Sequence, residues 1–456
     1  MYIATQWNPI YWNTACLIVN SGSLEDDAEY EFEEDEDGET VVKKEKSTDY
    51  AKIAKALGDI ISKGIKVSLV DINKSNFSFE PDVDNNQILF GMKALNNVGT
   101  PIIEQIVKGR PYVSFTDFLN RCPLNKTAMI SLIKAGSFDK LEENWAKELG
   151  VEPRILIMVY YLSKVCEPKK KLTLQNFNGL IQKDLIPQEL DFQKRVFNFN
   201  KYLKAYKKVG KYYVFDDICD KFYSEYYDMD KLSIINGLTC ILQTDWDKIY
   251  KKEMDIARDW LKDNQEDMLK EFNQLLFQEY WNKYAIGSVS AWEMESLCFY
   301  YHKHELEDIN TYKYGIDDFF NMPEQPEVDY FFKRNGKEIP IYKTYKIIGT
   351  VISKNDTRSS VSILTTSGVV NVKFTKEYFA MFNRQISEPQ DDGTKKVMEK
   401  GWFTRGTKIM CTGFRREDTF VTKAYKHTPT HQLYKITNID AEGNMELIHD
   451  RYGQGE

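Results

Sequence analysis

Residues 93–101 read KALNNVGTP, and this short stretch decides how the N-terminal part of the chain folds. We expect a helix to end at Leu95, a tight turn to contain Val98, and a new helix to start just after it. Thr100 is a good N-cap for the new helix, and Pro101 suits its first position. Two helices joined by such a turn form a helix-hairpin-helix, and an ordinary helical corner is the alternative.

The residues of this turn suit contact with a phosphate group. Asn97, which occupies the place of the usual first glycine of such a hairpin, tolerates left-handed dihedral angles. Gly99 allows the backbone to approach another molecule closely. Backbone N–H groups at the start of the following helix point outward and can bind a phosphate. The predicted DNA-binding residues are Lys93, Asn97, Val98, Gly99, Thr100 and, from the next unit, Lys126.

A second unit of the same kind follows at residues 124–139, LNKTAMISLIKAGSFD. Asn125 is its expected cap, Lys126 lies next to that cap, and Gly136 is its expected stop. Two units in tandem favour binding to a DNA backbone over a simple corner. Contacts of this kind position a protein on DNA and carry no sequence information.

The net charge of the chain is −8 at pH 7, which by itself speaks against binding to nucleic acid. Residues 25–39, however, hold eleven carboxylates and no Lys or Arg, so the remainder of the chain carries a net charge of +3. Blocks of like charge are usually solvated loops. We therefore interpret residues 25–47 as an acidic loop, and imitation of DNA or docking of a partner is the alternative.

Helices dominate the prediction on either side of this loop. Residues 1–20 read as the end of a helix that begins earlier, and residues 49–64 have apolar positions at helical spacing. From 141 to 335 the chain is helix-rich and full of Lys and Tyr, with a local net charge of +8 over residues 164–211. The segment PEQPEV at 323–328 indicates a linker.

Beyond the linker the apolar pattern changes to a period of two residues. Five short strands, with a helix-like KEYFAMFNR between the third and the fourth, follow the order of an OB-fold barrel over residues 340–437. This region carries a local net charge of +9, and residues 438–456 are interpreted as a tail. The predicted fold class is multidomain: mainly α-helical in the N-terminal and central regions, followed by a β-barrel.

The barrel supplies the second set of predicted DNA-binding residues. Basic side chains that follow a phosphate backbone, together with aromatic rings on which bases stack, are typical of single-strand binding. The alternative is that the aromatic residues belong to the core and that the basic ones are merely solvated. The residues are Lys346, Arg358, Lys373, Phe374, Phe414, Arg415 and Arg416.

Catalytic and metal-binding patterns are weak in this sequence. It contains no GxxxxGK[ST], GxGxxG or GxSxG motif. His302 and His304 form at most half of a metal site, because no cysteine or well-placed carboxylate accompanies them. Carboxylate pairs such as Asp391 and Asp392 read as loop charges, whereas two-metal chemistry needs carboxylates held rigidly on strands. We therefore predict no catalytic and no metal-binding residues.

The cysteines and the apolar runs indicate the compartment. The seven cysteines are scattered without a CxxC pair, which favours a reducing cytosol. No run of about 18 apolar residues exists, and the N-terminus does not resemble a secretory signal. We therefore expect a cytoplasmic protein with no membrane partner.

Several segments resemble, in the same order, the bacterial DNA polymerase III alpha subunit, the family C replicative polymerase. They are NPIYWNTACLIVNSG at 8–22, KALGDIISKGIKVSLVDINKSNFSF at 55–79 and the two helix-hairpin-helix segments. WEMESLCFYYHKHEL at 292–306 resembles the family's E-x-x-x-L-G-F-Y-x-x-x-H-P-L segment, with Cys298 in place of Gly and Glu305 in place of Pro. The barrel follows, as it does in the family.

The resemblance implies a role for each part of the chain. Residues 1–80 would be the last part of the polymerase fingers, and residues 81–140 the tandem helix-hairpin-helix that holds duplex DNA near the sliding-clamp attachment. Residues 340–437 would be the OB-fold near the single-stranded template. The family's catalytic palm, with its three metal-binding aspartates, precedes the region that this chain resembles.

A clamp-binding peptide is also implied by the resemblance. In the family it is a short Gln-containing sequence that ends in Leu-Phe and precedes the GFY segment. Here the candidates are Gln274, Leu276 and Phe277 in EFNQLLFQEYW, where the spacing is one residue short. The surrounding pattern is strongly helical, so the core of a helix is the alternative.

These features lead to one primary hypothesis. The chain is expected to be the C-terminal piece of a split replicative polymerase, such as a phage encodes, that grips primer–template DNA and works with a separate palm-bearing chain. It would bind no cofactor itself, Mg²⁺ would lie in the partner's palm, and the chain alone would be inactive. The alternative is a non-catalytic DNA-binding or clamp-associated accessory protein, and a truncated remnant is a third interpretation.

Overall fold

In the computed structural model, the described residues are 8–22, 32–34, 40–42, 48–165, 168–389, 395–425 and 431–452. Met1–Met158 and Gly287–Glu456 form one compact unit, and Val159–Ile286 form a second. Most of the predicted acidic loop lies outside the described residues, as do Asp391 and Asp392. Within the described ranges, no helix is both long and apolar enough to span a bilayer.

The first helix of unit 1, α1 (Pro9–Ser21), starts at a cap of its own. Asn8 has an extended backbone, and its Oδ1 accepts a hydrogen bond from the backbone N–H of Ile10 at 3.1 Å. Proline follows the cap, where its missing N–H costs nothing. The expectation that this helix begins earlier is therefore wrong, because the cap interrupts the helical backbone at Asn8.

The next helix confirms the pattern seen over residues 49–64. The Asp49 side chain caps it by accepting a hydrogen bond from the backbone N–H of Lys52 at 3.1 Å. A small sheet of order β3-β5-β4 then precedes the helix-hairpin-helix region. The elements, in chain order, are β1 (Phe32–Glu34), β2 (Thr40–Val42), α2 (Tyr50–Ser62), β3 (Lys66–Val67), β4 (Glu80–Asp82) and β5 (Gln87–Leu89).

Five further helices complete the N-terminal part: α3 (Thr100–Lys108), α4 (Phe115–Arg121), α5 (Lys126–Lys134), α6 (Glu143–Leu149) and α7 (Pro153–Tyr160). The element before α3 is a single 3-10 turn, Met92–Ala94, and not the α-helix that the sequence predicts. Three buried rings hold α4 onto the segment after α5, since Phe138 lies 4.9 Å from both Phe115 and Phe118.

Unit 2 mixes helices with a sheet that the helix-rich prediction omits. Its four antiparallel strands have the order β6-β7-β9-β8. Asn236 and Gly237 join the last hairpin with positive φ angles of 50° and 75°, which is the Asn-Gly signal for a two-residue turn. The elements are α8 (Phe177–Gln182), α9 (Asp191–Tyr206), β6 (Lys208–Val209), β7 (Tyr212–Val214), α10 (Asp217–Tyr226), β8 (Leu232–Ile235), β9 (Leu238–Leu242), α11 (Gln243–Asp263) and α12 (Gln265–Tyr284).

The chain then completes unit 1 with a short helical segment and a series of strands. These elements are α13 (Val289–Leu297), α14 (Thr311–Tyr314), β10 (Val328–Arg334), β11 (Lys337–Tyr342), β12 (Tyr345–Asn355), β13 (Ser360–Thr365), β14 (Gly368–Lys373), α15 (Lys376–Asn383), β15 (Ile386–Pro389), β16 (Lys395–Glu399), β17 (Lys408–Arg416), β18 (Thr419–Thr422), β19 (Leu433–Ile439) and β20 (Met445–Ile448).

Five of these strands close into the predicted OB-fold barrel. Their order is β12-β13-β14-β18-β17, and β12 pairs again with β17 to close the ring. Strands β14 and β18 are parallel, and α15 lies between the third and the fourth barrel strand. Strands β19 and β20 extend the sheet from β17 into the segment that was interpreted as a tail. The fold class is therefore confirmed.

Candidate nucleic-acid interface

The turn before α3 has the backbone conformation that the sequence predicts, with one change in the cap. Asn97 adopts a positive φ of 63°, and Val98 is buried beneath the turn. The N-cap is Gly99, with an extended backbone, so that Thr100 is the first residue of the helix. Thr100 is therefore not the cap, because the chain enters the helical conformation one residue earlier than its side chain suggests.

This turn leaves backbone donors open at the start of α3. The first hydrogen bonds of the helix run from the N–H groups of Ile102 and Ile103 to the carbonyl of Gly99. Among the described residues, nothing accepts from the backbone N–H groups of Val98, Gly99 or Thr100. Since these donors lie at the positive end of the helix dipole, they form a natural anion-binding site.

The second unit is joined directly to the first. Asn125 caps α5 as predicted, accepting a hydrogen bond from the backbone N–H of Ala128 at 2.9 Å. Lys126 is the first residue of α5 and is partly exposed. Asn97 Nδ2 donates to the Ser131 hydroxyl on α5 at 3.3 Å, so the two predicted units share one polar contact.

Lys93 lies on the 3-10 turn beside this site. Its ammonium group is 5.4 Å from the centre of the Phe77 ring, and its side chain is partly buried. An aromatic face attracts a cation, so it restricts the positions of the ammonium group without removing its charge. Lys93 therefore adds a positioned charge near the start of α3.

A buried charge cluster, Arg154 with Asp139 and Glu293, supports this region from below. The Arg154 Nη2 is 2.7 Å from an Asp139 carboxylate oxygen, and Nη1 is 3.0 Å from Glu293 Oε1. Arg154 also donates to the Lys134 carbonyl at the end of α5, at 3.2 Å. The cluster therefore ties the second helix-hairpin-helix unit to α13. Sequence reasoning missed it, because the partners are far apart in the chain.

Glu293 also holds Tyr301 and His302, the two residues that follow Cys298-Phe299-Tyr300 in the GFY-like segment. It accepts hydrogen bonds from the backbone N–H groups of Tyr301 and His302 at 2.9 and 3.0 Å, and His302 Nδ1 lies 2.6 Å away.

Burial lowers the pKa of His304 to about 4. Within the described residues, no group of three or more His, Cys, Asp or Glu side chains could hold a metal ion.

In the barrel, the two predicted stacking residues are part of the core. Phe374 is 3% exposed and Phe414 is 5% exposed. Phe374 packs on Phe403 with ring centres 4.9 Å apart, and Phe414 packs on Tyr342 at 5.0 Å. Their assignment as base-stacking residues is corrected here, because a buried ring has no open face on which a base can stack.

Arg415 and Lys346 are also engaged inside the protein. Arg415 donates to three carbonyls of residues 319–322, the shortest at 3.0 Å to Met322, and its guanidinium lies 4.8 Å from the Phe319 ring centre. Lys346 Nζ donates to the Tyr314 carbonyl at 3.2 Å. Both residues hold the segment before the ribbon β10–β11 onto the barrel, and their contact with DNA stays a prediction.

The other three predicted barrel residues are exposed. Arg358 lies in the loop between β12 and β13, where its backbone carbonyl accepts a hydrogen bond from Lys373 Nζ. Arg416 lies at the end of β17, 5.8 Å above the Phe414 ring. The structure therefore brings two of the three together, and their contact with DNA remains a prediction.

The clamp-binding candidates lie in the middle of α12, as the helical alternative requires. Gln274 is exposed, whereas Leu276 and Phe277 are half-buried. Leu276 packs against the core of unit 2, and Phe277 lies 5.8 Å from Trp281. Leu276 and Phe277 thus already pack within unit 2. The clamp-binding role therefore stays a prediction without further support.

One exposed element was missed by the sequence analysis. The ribbon β10–β11 carries three successive exposed aromatic residues, Tyr330, Phe331 and Phe332. Its turn is Asn335-Gly336, and both residues have positive φ. The sequence signal was present in YFFKRNGK, because Asn-Gly between two apolar runs is a strong hairpin indicator.

Comparison with known proteins supports the helix-hairpin-helix prediction. Residues 64–147 match the family model described as a helix-hairpin-helix motif. These residues span the turn before α3, both predicted units and the helices packed on them. The helix-hairpin-helix prediction is therefore confirmed.

The chain is also similar to proteins named as DNA polymerases. It is 38% identical, over 98% of its own length and 33% of the relative's, to the probable DNA polymerase YorL of Bacillus subtilis (strain 168) and equally to the DNA-directed DNA polymerase of Bacillus phage SPbeta. It is 38% identical to the DNA polymerase III subunit alpha of Thermus aquaticus over 23% of this chain and 9% of that protein. The chain spans one third of the two longest matches. The resemblance to the DNA polymerase III alpha family is confirmed.

Proposed function

We propose that this relative of the DNA polymerase III alpha subunit binds primer–template DNA during DNA replication and holds it for template-directed synthesis. The observation that carries the proposal is the set of open backbone donors at Val98, Gly99 and Thr100, which lie at the start of α3. Such donors suit a phosphate of either strand and are indifferent to base sequence. A polymerase needs this kind of grip, because it must move along any template.

The charge of the chain is compatible with this role. The acidic tract 25–39 accounts for the negative total, and the remainder of the chain is slightly basic. Phosphate contacts release counterions, so affinity for duplex DNA is expected to fall steeply as salt increases. An affinity for duplex DNA that ignores ionic strength would contradict phosphate-dominated binding.

Asn97→Asp is the sharpest test of the turn. The change keeps the shape and tolerates the positive φ of 63°, but it places a negative charge beside the open donors. We expect affinity for a duplex of random sequence to fall about tenfold, which corresponds to about 1.4 kcal/mol. Fluorescence anisotropy with a labelled duplex measures this change.

Asn236→Asp provides the matched control. Asn236 is also exposed, lies at a turn with a φ of 50°, and belongs to unit 2. The same charge change there is expected to leave duplex affinity within about twofold, since it leaves the residues of the α3 turn unchanged. Equal losses from the two variants would mean that net charge, and not the α3 turn, governs binding.

We further propose that the chemistry of synthesis is supplied by a palm-bearing polymerase chain, whose Mg²⁺ ions activate the primer 3′-hydroxyl. The role of this chain would then be positioning of DNA. Such a polymerase would act in the cytoplasm of a bacterial or phage-infected cell. The alternative, a non-catalytic accessory protein, makes a different prediction for primer extension.

Primer extension distinguishes these two roles. We expect no extension by this chain alone and at least a tenfold gain when it is added to a palm-bearing polypeptide similar to the remaining two thirds of the relatives. The Asn97→Asp chain should give a smaller gain than Asn236→Asp. If no stable complex forms and extension is unchanged, the proposed partnership is wrong; extension by this chain alone would overturn the need for a palm-bearing partner.

A further inference from the structure

We propose that one face of the β10–β11 ribbon binds single-stranded DNA by stacking bases on Tyr330 and Phe332 and by holding a phosphate between Arg334 and Lys337. This inference rests on the proposed function and names the element that contacts the single-stranded template. It replaces Phe374 and Phe414, which are buried.

The register of the ribbon sorts its residues onto two faces. Phe332 lies opposite Ile339, and Arg334 lies opposite Lys337 across the two-residue turn. Because side chains alternate along a strand, Tyr330, Phe332 and Arg334 project on the same side. This side is called the stacking face, and it consists of Tyr330, Phe332, Arg334, Lys337 and Ile339.

The aromatic residues of the stacking face are open to solvent. Tyr330 is 45% exposed and Phe332 is 46% exposed, although both are large apolar rings. Successive residues on one face of a strand are about 7 Å apart, which leaves each ring free to take a separate base. Base–aromatic stacking does not depend on base identity, as replication of any template requires.

The charges of the stacking face point to an anion. Arg334 and Lys337 are directly opposite each other, and like charges in that position destabilise a hairpin. Neither side chain forms an ion pair with a carboxylate in the described parts of the chain. A phosphate group between them would turn this repulsion into attraction.

The opposite face lacks these features. It carries Phe331 and Pro340, and its cation Lys333 is already neutralised by Glu338 at 3.3 Å across the ribbon. The unpaired cations and the two spaced rings therefore occur together only on the stacking face of this ribbon. This difference supplies a control within the same hairpin.

The base of the ribbon is fixed to the barrel. The backbone N–H of Tyr342 donates to the hydroxyl of Tyr425, which follows β18, at 3.0 Å. The N–H of Lys343 donates to the Glu327 carbonyl at 2.9 Å and closes the base of the ribbon itself. The Tyr342 ring packs on Phe414 at the end of β17. The ribbon thus extends the OB-fold as an attached element, and a strand bound there would be held in a defined place.

The test is the affinity of the full chain for labelled oligo(dT) of about 16 nucleotides, measured by fluorescence anisotropy at fixed ionic strength. The double variant Tyr330→Ala/Phe332→Ala is expected to bind at least tenfold more weakly. Phe331→Ala, which removes a ring of the other face that is even more exposed, should bind within about twofold of the unchanged chain. Far-UV circular dichroism checks that both variants remain folded.

An abasic single strand of the same length tests stacking without any mutation. It keeps the phosphates and removes the bases, so we expect the unchanged chain to bind it at least tenfold more weakly than oligo(dT). The double variant should then scarcely distinguish the two strands. Equal affinity of the unchanged chain for both strands, or equal losses from Phe331→Ala and the double variant, would overturn the inference.

Duplex binding separates this inference from the proposed function. The double variant is expected to keep its duplex affinity within about twofold, since α3 and not the ribbon holds the duplex. If the unchanged chain binds duplex DNA but not oligo(dT), the ribbon inference fails while the proposed function stands. If it binds neither, the proposed function fails as well.

Discussion

Arg154→Ala is expected to lower the free energy of unfolding of unit 1 by about 3–5 kcal/mol. The Arg154 and Glu293 side chains are both fully buried and are 3.0 Å apart. Removing the guanidinium takes the arginine cation away from the buried Glu293 carboxylate, and the contacts with Tyr301 and His302 that remain offset only part of the cost of its desolvation. Equilibrium urea denaturation followed by circular dichroism measures the loss.

Two further variants make this prediction specific to the buried pair. Lys147→Ala removes an exposed ion pair with Glu143 within α6, and we expect a change below about 0.5 kcal/mol. Arg154→Met combined with Glu293→Gln should regain at least half of the loss, because the fully buried carboxylate is then neutral and the remaining one, Asp139, is partly exposed. A loss of less than about 1 kcal/mol for Arg154→Ala would contradict the prediction.

Arg154→Ala is also expected to weaken duplex binding. Arg154 holds the Lys134 carbonyl at the end of α5, and α5 contacts the α3 turn through Ser131 and Asn97. A shift of α5 would therefore move the open donors of the proposed DNA site. Duplex affinity that stays unchanged in a folded Arg154→Ala chain would show that the turn does not depend on this support.

Arg451→Ala is expected to cost about 3 kcal/mol, although the residue is close to the end of the chain. Its side chain is fully buried and donates to the carbonyls of Met381 and Arg384 at 2.7 and 2.6 Å. It also pairs with Glu399 at 3.1 Å. Alanine would remove the guanidinium donor from the two carbonyls and the cation from Glu399, and thermal or urea denaturation would register the loss.

Lys396→Ala is the control, because Lys396 is an exposed residue of β16 in the same part of the unit. It should change stability by less than about 0.5 kcal/mol. An equally small effect of Arg451→Ala would mean that the residues after β20 contribute little to the barrel.

The Arg451 contribution is expected to depend on pH. Burial by itself raises the pKa of Glu399, but hydrogen bonds from Trp402 and Tyr452 and the charge of Arg451 outweigh it, so the pKa lies below its ordinary value of 4.5. A carboxyl whose pKa is lowered by folding stabilises the protein above its unfolded pKa, and that stability is lost as the pH falls. The difference between the unchanged chain and Arg451→Ala should therefore shrink below about pH 4.5.

Local signals in the sequence predicted local structure well. Asn125 acts as the cap that its position predicts, because a side-chain oxygen reaches its own backbone without help from the rest of the fold. Asn97 takes the left-handed conformation because asparagine tolerates a positive φ. The barrel strands appeared as period-two segments, since alternation reports which residues share one face.

Local signals were less decisive at the start of α3 and for two short sheets. Thr100 lost the cap to Gly99, a shift of one residue that local preferences rarely resolve. The sheet of unit 2 and the β10–β11 ribbon were overlooked, although Asn236-Gly237 and Asn335-Gly336 mark both turns.

The sequence by itself determined the order of the barrel strands, the cap at Asn125, the left-handed turn at Asn97 and the family resemblance. Only the tertiary structure decided which side chains are available to DNA. Alternation along a strand does not say which face lies inside a closed barrel. The sequence therefore allowed Phe374 and Phe414 to be stacking residues, whereas the barrel buries both rings. The pairing of Arg154 with Glu293 and the anchoring by Arg415 are likewise tertiary facts, because a charge is used inside a protein only when folding brings a distant partner to it.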